Sequence, residues 1–136
     1  MKVEATADAQ GVPLGVAVAA AHVSETSLVQ PALDDVPISI PEGTKIVADS
    51  GYDSDPLRDE LADQGLELVS PHRRNRVRPS RNDGRVLRRY RRRYVVERTC
   101  AWLHCFRRLA NRWEYYTFMY EGFLRLACIL LLSYRL

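Results

Sequence analysis

Two acidic residues lie where a carboxylate could bind a metal ion, and the first of them is Asp49. It ends the short apolar segment 45–48 and is followed by a turn at Gly51. In open α/β sheets, ligands bind beyond the carboxyl ends of strands, and a carboxylate there can hold a hard cation such as Mg²⁺. The alternative is a turn aspartate that caps the next helix. On this feature alone, the capping role is favoured.

The second acid is Glu97, which belongs to a row of polar side chains at helical spacing. Tyr90, Arg93, Glu97 and His104 are separated by three, four and seven residues, which places them within about 60° of one another on a helix. The surrounding arginines favour the charged form of Glu97. It is therefore either a functional carboxylate or a salt-bridge partner of Arg93 or Arg98.

The other side of the same segment is apolar, which predicts one amphipathic helix over residues 90–113. Its apolar side is formed by Val95, Thr99, Trp102, Phe106, Leu109 and Trp113, and Arg108 lies on the polar side. Residues 72–89 have no period and contain many helix breakers, so a basic loop is predicted there.

Charge is divided unevenly along the chain. Residues 1–71 carry three Lys or Arg and 13 Asp or Glu, a balance of −10, whereas residues 72–136 carry 17 Arg and four acids, a balance of +13. This asymmetry predicts a polyanion partner for the second half. Neutralisation of one half by the other is the alternative, but it does not account for the arginine density between Arg73 and Arg98.

The elements that position these residues can be read from turn and cap signals. A hairpin turn is predicted at 8–11, a buried strand at 14–20, a helix at 27–36 capped by Ser24 or Thr26, and a strand at 45–48. A helix at 57–64 follows, capped by Ser54 or Asp55, then a strand at 66–70 and a last helix at 121–134. The order predicts an α/β fold, with a mixed sheet and helices on its faces. Asp53 and Asp55 are expected to be capping, solvated residues.

Cysteine usage and hydropathy exclude several classes of protein. The three cysteines form no pair at metal-ligand spacing, which argues against a zinc site and suits a reducing cytoplasm. The longest uncharged apolar run, residues 126–134, is far shorter than the roughly 20 residues of a membrane-spanning helix. No membrane partner is therefore expected.

Two segments resemble the signatures of insertion-sequence transposases of the DDE type, in the group around insertion sequence families four and five. Asp49-Ser50-Gly51-Tyr52 resembles the D-x-G-Y/F signature that carries the second Asp of these enzymes. The segment from Tyr90 through Arg93 to Glu97 resembles the Y-(2)-R-(3)-E-(6)-K signature that carries their final Glu, with His104 in place of the Lys. The resemblance extends from Lys2 to Leu136, so residues 1–136 are expected to be the C-terminal part of a catalytic domain.

The resemblance implies an RNase H-like fold and a DDE triad that holds two divalent ions, usually Mg²⁺, for cleavage and strand transfer of DNA. Asp49 would be the second ligand and Glu97 the third. Tyr90 and Arg93 would bind phosphate of the transposon end. Further DNA contacts are expected from His104, Arg89, Arg92 and Arg108.

The first Asp of the family lies on the first strand of its fold, before the opening hairpin, so that strand and that ligand are expected to be missing here. Glu4 and Asp8 are not expected to replace it. The chain alone is therefore expected to be inactive, whether it is a remnant, the second frame of a frameshifted gene or a product with a misassigned start. Expected partners are transposon-end DNA, the product of an upstream frame and, by analogy, a second copy. The expected location is the cytoplasm, at the nucleoid.

A second function class stays open. The arginines between Arg73 and Arg93 could serve a non-catalytic module that binds nucleic-acid phosphates without sequence preference. In that case Asp49 and Glu97 would be dispensable.

Overall fold

A computed structural model of the chain describes residues 1–135, and Leu136, the last residue of the predicted resemblance, lies outside them. The described residues form two compact units. The first unit contains residues 1–38 and those from 94 onward, and the second contains residues 39–93. Each unit combines two strands with helices, which confirms the predicted α/β class.

The elements follow the predicted order. The strands are β1 (Lys2–Ala7), β2 (Pro13–Ala19), β3 (Lys45–Val47) and β4 (Glu67–Val69). The α-helices are α1 (Val29–Asp34), α2 (Asp55–Asp63), α3 (Tyr94–His104), α4 (Arg107–Ala110) and α5 (Thr117–Ser133). Three 3₁₀ helices cover Glu25–Leu28, Ser50–Tyr52 and Val86–Arg93. The strands pair as an antiparallel β1–β2 sheet and a parallel β3–β4 sheet, rather than as the single mixed sheet that was predicted.

The hairpin of the first unit forms where its turn residues predict it. The Asp8 carboxylate accepts hydrogen bonds from the backbone N–H of Gln10 and Val12, at 2.8 and 2.9 Å. Gly11 follows with φ of +86°, a backbone conformation that residues with a Cβ rarely adopt. Pro13 begins β2, where its missing N–H removes no interior ladder hydrogen bond.

Helix α1 packs closely on β2 of the same unit. A Cβ at Gly15 would lie 2.2 Å from the Ala32 carbonyl oxygen, so only glycine permits this approach. The Asp35 carboxylate, just after the helix, accepts a hydrogen bond from the Val16 N–H at 2.9 Å. The predicted cap by Ser24 or Thr26 is wrong: Ser24 makes no capping hydrogen bond, and the residue at the N-cap of α1 is Leu28.

The predicted continuous helix over 90–113 is divided into three parts. A 3₁₀ helix ends at Arg93, α3 ends at His104, and α4 begins at Arg107 after Phe106 adopts an extended backbone. The break has a packing reason: Leu103 and Leu109 are both buried in one cluster, with Phe106 packed against it. That cluster also contains Val16, Tyr120, Leu124 and Ala127.

The second unit is held by α2 against β4. Ser54 caps α2 by accepting a hydrogen bond from the Leu57 N–H at 3.5 Å, and Gly65, with φ of +74°, follows its end. The stop at Gly65 was predicted from the sequence, and Ser54 was one of the two predicted caps, with Asp55 as the other. None of the helices within residues 1–135 is long and apolar enough to cross a membrane.

Candidate active site

Asp49 follows the end of β3 after one intervening residue, close to the predicted strand end, with its side chain 47% exposed. One carboxylate oxygen, Oδ1, accepts a hydrogen bond from the Gly51 N–H at 2.6 Å and so caps the 3₁₀ turn that follows. The other, Oδ2, lies 4.0 Å from Nη1 of Arg93. The capping role is therefore present, but it occupies only one of the two oxygens.

The backbone around Asp49 is fixed by the segment after β4. The Ser70 hydroxyl donates to the Asp49 carbonyl at 2.5 Å. Arg73 donates from Nε to the Ser50 carbonyl at 3.1 Å and from Nη2 to the Gly51 carbonyl. These contacts hold the turn, and with it the carboxylate, at the end of the β3–β4 sheet.

The 3₁₀ helix Val86–Arg93 places Tyr90 and Arg93 on one row. Residues three apart are eclipsed in a 3₁₀ helix, and Leu87, Tyr90 and Arg93 are all half-buried. Arg93 donates to the Tyr90 hydroxyl at 2.9 Å, with its guanidinium carbon 5.3 Å from the ring centre. The structure thus brings Asp49, Arg93 and Tyr90 together within the second unit, although not by the α-helical geometry that their spacing predicted.

Asp53 is buried, which corrects the prediction that it is solvated. Its side chain is only 2% exposed. It is contacted by His72 Nδ1 at 2.9 Å, by Arg58 and Arg76 at 3.1 Å each, and by the backbone N–H of Arg73 at 3.0 Å. Burial alone would raise the pKa of Asp53, but the hydrogen bonds from Arg73, His72 and Arg58 outweigh burial and hold that pKa well below its usual range.

The neighbouring acids of α2 bind the basic loop. Asp55 contacts Arg76 at 2.8 Å and Arg78 at 3.2 Å, and Asp59 contacts Arg81 at 2.8 Å. The hydrogen bond from Arg76 lowers the pKa of Asp55 against the opposing effect of desolvation. Neutralisation within the fold therefore explains part of the arginine density, which the sequence interpretation had left to a polyanion partner.

Glu97 lies in the first unit, on an exposed position of α3. The helix is anchored to the hairpin turn beside it. Thr99, fully buried, donates from its hydroxyl to the Gly11 carbonyl at 2.8 Å, and Arg98 donates to the Gln10 carbonyl at 2.9 Å. These two bonds fix the turn of helix that carries Glu97.

A second carboxylate of the first unit, Glu4 on β1, is close enough to act on the same residue as Glu97. Burial raises the pKa of the Cys100 thiol, and the negative charges of Glu4 and Glu97 raise it further. No role was predicted for Glu4 from the sequence. Glu4 is one of the polar residues that alternate with apolar ones along β1, and this alternation does not show which helix the strand faces.

Comparison with known proteins decides the family. Residues 1–132 match the family described as "Transposase DDE domain". The chain is also 37% identical, over 131 residues, to a Burkholderia cepacia protein assigned to insertion sequence element IS402 as its transposase, an alignment that covers 91% of this chain. The chain belongs to the DDE transposase family. It spans 58% of the length of this curated relative, and no solved structure matches it.

DDE transposases generally use divalent metal ions, and the oxygen donors here suit them in chemistry. Asp49 is half-exposed and has one oxygen outside the turn. Within residues 1–135, however, no group of three or more His, Cys, Asp or Glu side chains could hold a metal ion. The described carboxylates therefore suit a divalent ion as single oxygen ligands, but they do not by themselves form a complete metal site.

The other residues that were predicted to contact DNA differ in their exposure and in their contacts within this DDE transposase chain. His104, at the end of α3, and Arg89 and Arg92, on the 3₁₀ helix, are exposed. Arg108 instead pairs with Glu114 at 2.9 Å, and its guanidinium carbon lies 5.3 Å from the Phe123 ring. Arg108 is thus engaged in holding its own unit.

Proposed function

We propose that the chain is part of a transposase catalytic domain that cleaves and joins DNA phosphodiesters, with Asp49 and Glu97 as carboxylate ligands of Mg²⁺. The observation that supports it best is the grouping of Asp49 with Arg93 and Tyr90. Residues from the two signatures, far apart in sequence, meet at the end of β3 within one unit.

Each residue has a role that follows from its chemistry. Asp49 and Glu97 hold the ions through hard oxygen donors. When bound, such ions activate a water or a DNA 3′-hydroxyl and neutralise charge at the phosphate. Arg93 presents a planar fork of donors that matches a phosphate, and Tyr90 orients that fork through its hydroxyl. His104, at the Lys position of the signature, is exposed at the end of α3 and presents a ring N–H that suits a phosphate oxygen.

The proposal includes an RNase H-like sheet and a third carboxylate, the first Asp of the triad, which the family carries on its first strand and which we assign to none of the described residues. Tested by itself, the 136-residue chain is expected to be inactive. One proposed partner is the product of an upstream reading frame. Further proposed partners are transposon-end DNA and a second copy of the chain, in the cytoplasm at the nucleoid.

Metal binding tests the two ligands directly. Mn²⁺ titration followed by electron paramagnetic resonance would compare Asp49→Asn and Glu97→Gln with the unchanged chain. Each variant is expected to weaken binding at least several-fold. Glu60→Gln in the second unit and Glu25→Gln in the first are matched controls, since both acids are exposed and outside the signatures. Equal Mn²⁺ binding by all five proteins would refute the assignment.

Cleavage tests the function. The 136-residue chain is expected to show no Mg²⁺-dependent cleavage of DNA that carries transposon ends, and robust turnover would contradict the proposed incomplete triad. In a reconstruction that supplies the preceding segment, either variant should abolish strand cleavage while DNA binding persists. If the reconstruction instead keeps its function with both carboxylates replaced, the non-catalytic binding module is the better description.

A further inference from the structure

The arginines of residues 72–93 fall into two classes. This segment contains 11 arginines. Five of them make hydrogen bonds or ion pairs within the second unit, namely Arg73, Arg76, Arg78, Arg81 and Arg93. The other six are exposed and their side chains have no partner among the described residues, namely Arg74, Arg85, Arg88, Arg89, Arg91 and Arg92. Asp55 and Asp59 of α2 therefore neutralise Arg76, Arg78 and Arg81 of the first class, whereas the second class is left open.

The open class is ordered by the 3₁₀ helix. With three residues per turn, the helix presents three rows. The row of Leu87, Tyr90 and Arg93 is half-buried, on the side that contacts β3 and β4. Arg88 and Arg91 form a second row, which Arg85 extends, and successive members are about 6 Å apart along the axis at roughly 2 Å per residue. Arg89 and Arg92 form the third.

The arginines of this helix repel one another electrostatically, and a bound polyanion would reduce that repulsion. The open rows contain only guanidinium groups, apart from Val86 at the start of the helix. They contain no aromatic or large aliphatic anchor of the kind that protein interfaces use as a core. Planar donor forks on a polar surface suit phosphate oxygens, and repeated rows suit a repeated phosphate.

We propose that Arg85, Arg88 and Arg91, together with Arg89 and Arg92, form a surface that follows the phosphate backbone of duplex DNA. This inference rests on the proposed function and extends it, because the half-buried row of the same helix carries Arg93 beside Asp49. Backbone contacts on the outer rows would set the register of the duplex without reading its sequence. The strand to be cut would then be presented to the row that contains Tyr90 and Arg93.

The test uses the whole chain and a fluorescent duplex of arbitrary sequence, with binding followed by anisotropy over a range of salt concentrations. Arg88→Gln/Arg91→Gln is compared with Arg78→Gln/Arg81→Gln, which removes the same charge from arginines that are paired with Asp55 and Asp59. Each lost phosphate contact lowers the slope of log K against log salt by about 0.9. The first pair should therefore lower the slope by about 2, and the second should leave it nearly unchanged.

Equal effects of the two pairs would show that net charge alone matters and would overturn the proposal, as would no effect of Arg88→Gln/Arg91→Gln. Poly-glutamate at equal charge concentration should displace the duplex poorly; efficient displacement would identify an acidic protein as the partner instead. The proposed catalytic role fails separately, through unchanged Mn²⁺ binding by Asp49→Asn and Glu97→Gln.

Discussion

Replacement of Asp53 by alanine should destabilise the second unit selectively. The side chain is 2% exposed and is the common acceptor for Arg58, His72, Arg76 and the Arg73 N–H. Removing one member of a buried ion pair costs about 3–5 kcal/mol, because an uncompensated charge stays buried. We expect the free energy of unfolding to fall by about 3 kcal/mol, the lower limit of that range. The reason is that the buried Arg58, only 8% exposed, keeps other hydrogen-bond acceptors.

Those acceptors are the carbonyls of Leu68 and Ser70, at 3.0 and 2.9 Å from the Arg58 guanidinium. Amide hydrogen exchange is the suitable assay, since it reports each unit separately. The N–H of Ala48, bonded to the Val69 carbonyl, reports on the second unit. Both tryptophans, Trp102 and Trp113, lie in the first unit, so their fluorescence reports on that unit.

The control is Asp59→Ala, in the same helix but with a side chain 63% exposed and a single partner, Arg81. An exposed pair of this kind contributes about 0–1 kcal/mol. If Asp53→Ala lowers protection of Ala48 by less than about 1 kcal/mol, or if Asp59→Ala has an equal effect, then Asp53 does not organise the loop and the reasoning fails.

The same carboxylate predicts a pH dependence with a definite sign. Its folded-state pKa is held below the ordinary value of 3.8, so the ionised form is favoured by folding. Its contribution is fully present above that ordinary value and is lost as the pH falls toward the folded-state pKa. Protection of the second unit should therefore decline below about pH 4, and Asp53→Ala should flatten that decline. Asp55, whose pKa is lowered by Arg76, contributes in the same direction in both proteins.

Two further predictions concern the first unit, and both are measured by thermal unfolding followed by tryptophan fluorescence. Gly15→Ala should destabilise it by about 1–3 kcal/mol or more, since the new Cβ would lie 2.2 Å from the Ala32 carbonyl oxygen. At Gly122 a new Cβ would enter open space, so Gly122→Ala should be neutral or stabilising by up to about 1 kcal/mol. An equal loss of stability in both variants would contradict the packing argument. Thr99→Val should cost about 1–3 kcal/mol by leaving the buried Gly11 carbonyl without its donor, whereas Thr99→Ser should keep it; equal stability of the two variants would disprove this role.

Local signals in the sequence predicted local structure well. The Asp8 turn, the Ser54 cap and the glycine after α2 each depend on atoms within a few residues, so their types suffice to predict them. Asp49 was placed correctly at a strand end for the same reason. Its alternative role as a cap was also visible, because the N–H that it accepts belongs to Gly51, two residues on.

Long-range pairing could not be predicted in this way. Asp53 has the sequence context of a capping residue, and besides Arg58 the side chains that surround it are His72 and Arg76, about 20 positions later. The spacing of Tyr90 and Arg93 fits an α-helix and a 3₁₀ helix equally, so it did not show which helix forms. Nor did it reveal the break at Phe106, because the apolar positions on either side continue the α-helical period while their burial depends on the core they join.

The charge of the second unit connects its folding to its proposed role. Residues 39–93 carry 13 Lys or Arg and nine Asp or Glu, an excess of four positive charges. That excess is not spread evenly, since the acids of α2 bind Arg76, Arg78 and Arg81, which lie early in the segment. Neutralising the early arginines fixes the loop after β4, and the unpaired ones are then concentrated on the outer rows of one 3₁₀ helix. If the acids of α2 were instead paired along the whole segment, these unpaired arginines would not be concentrated on one helix. We therefore expect Asp55→Lys to weaken DNA binding by displacing the 3₁₀ helix. The slope of log K against log salt, which counts phosphate contacts, should change little.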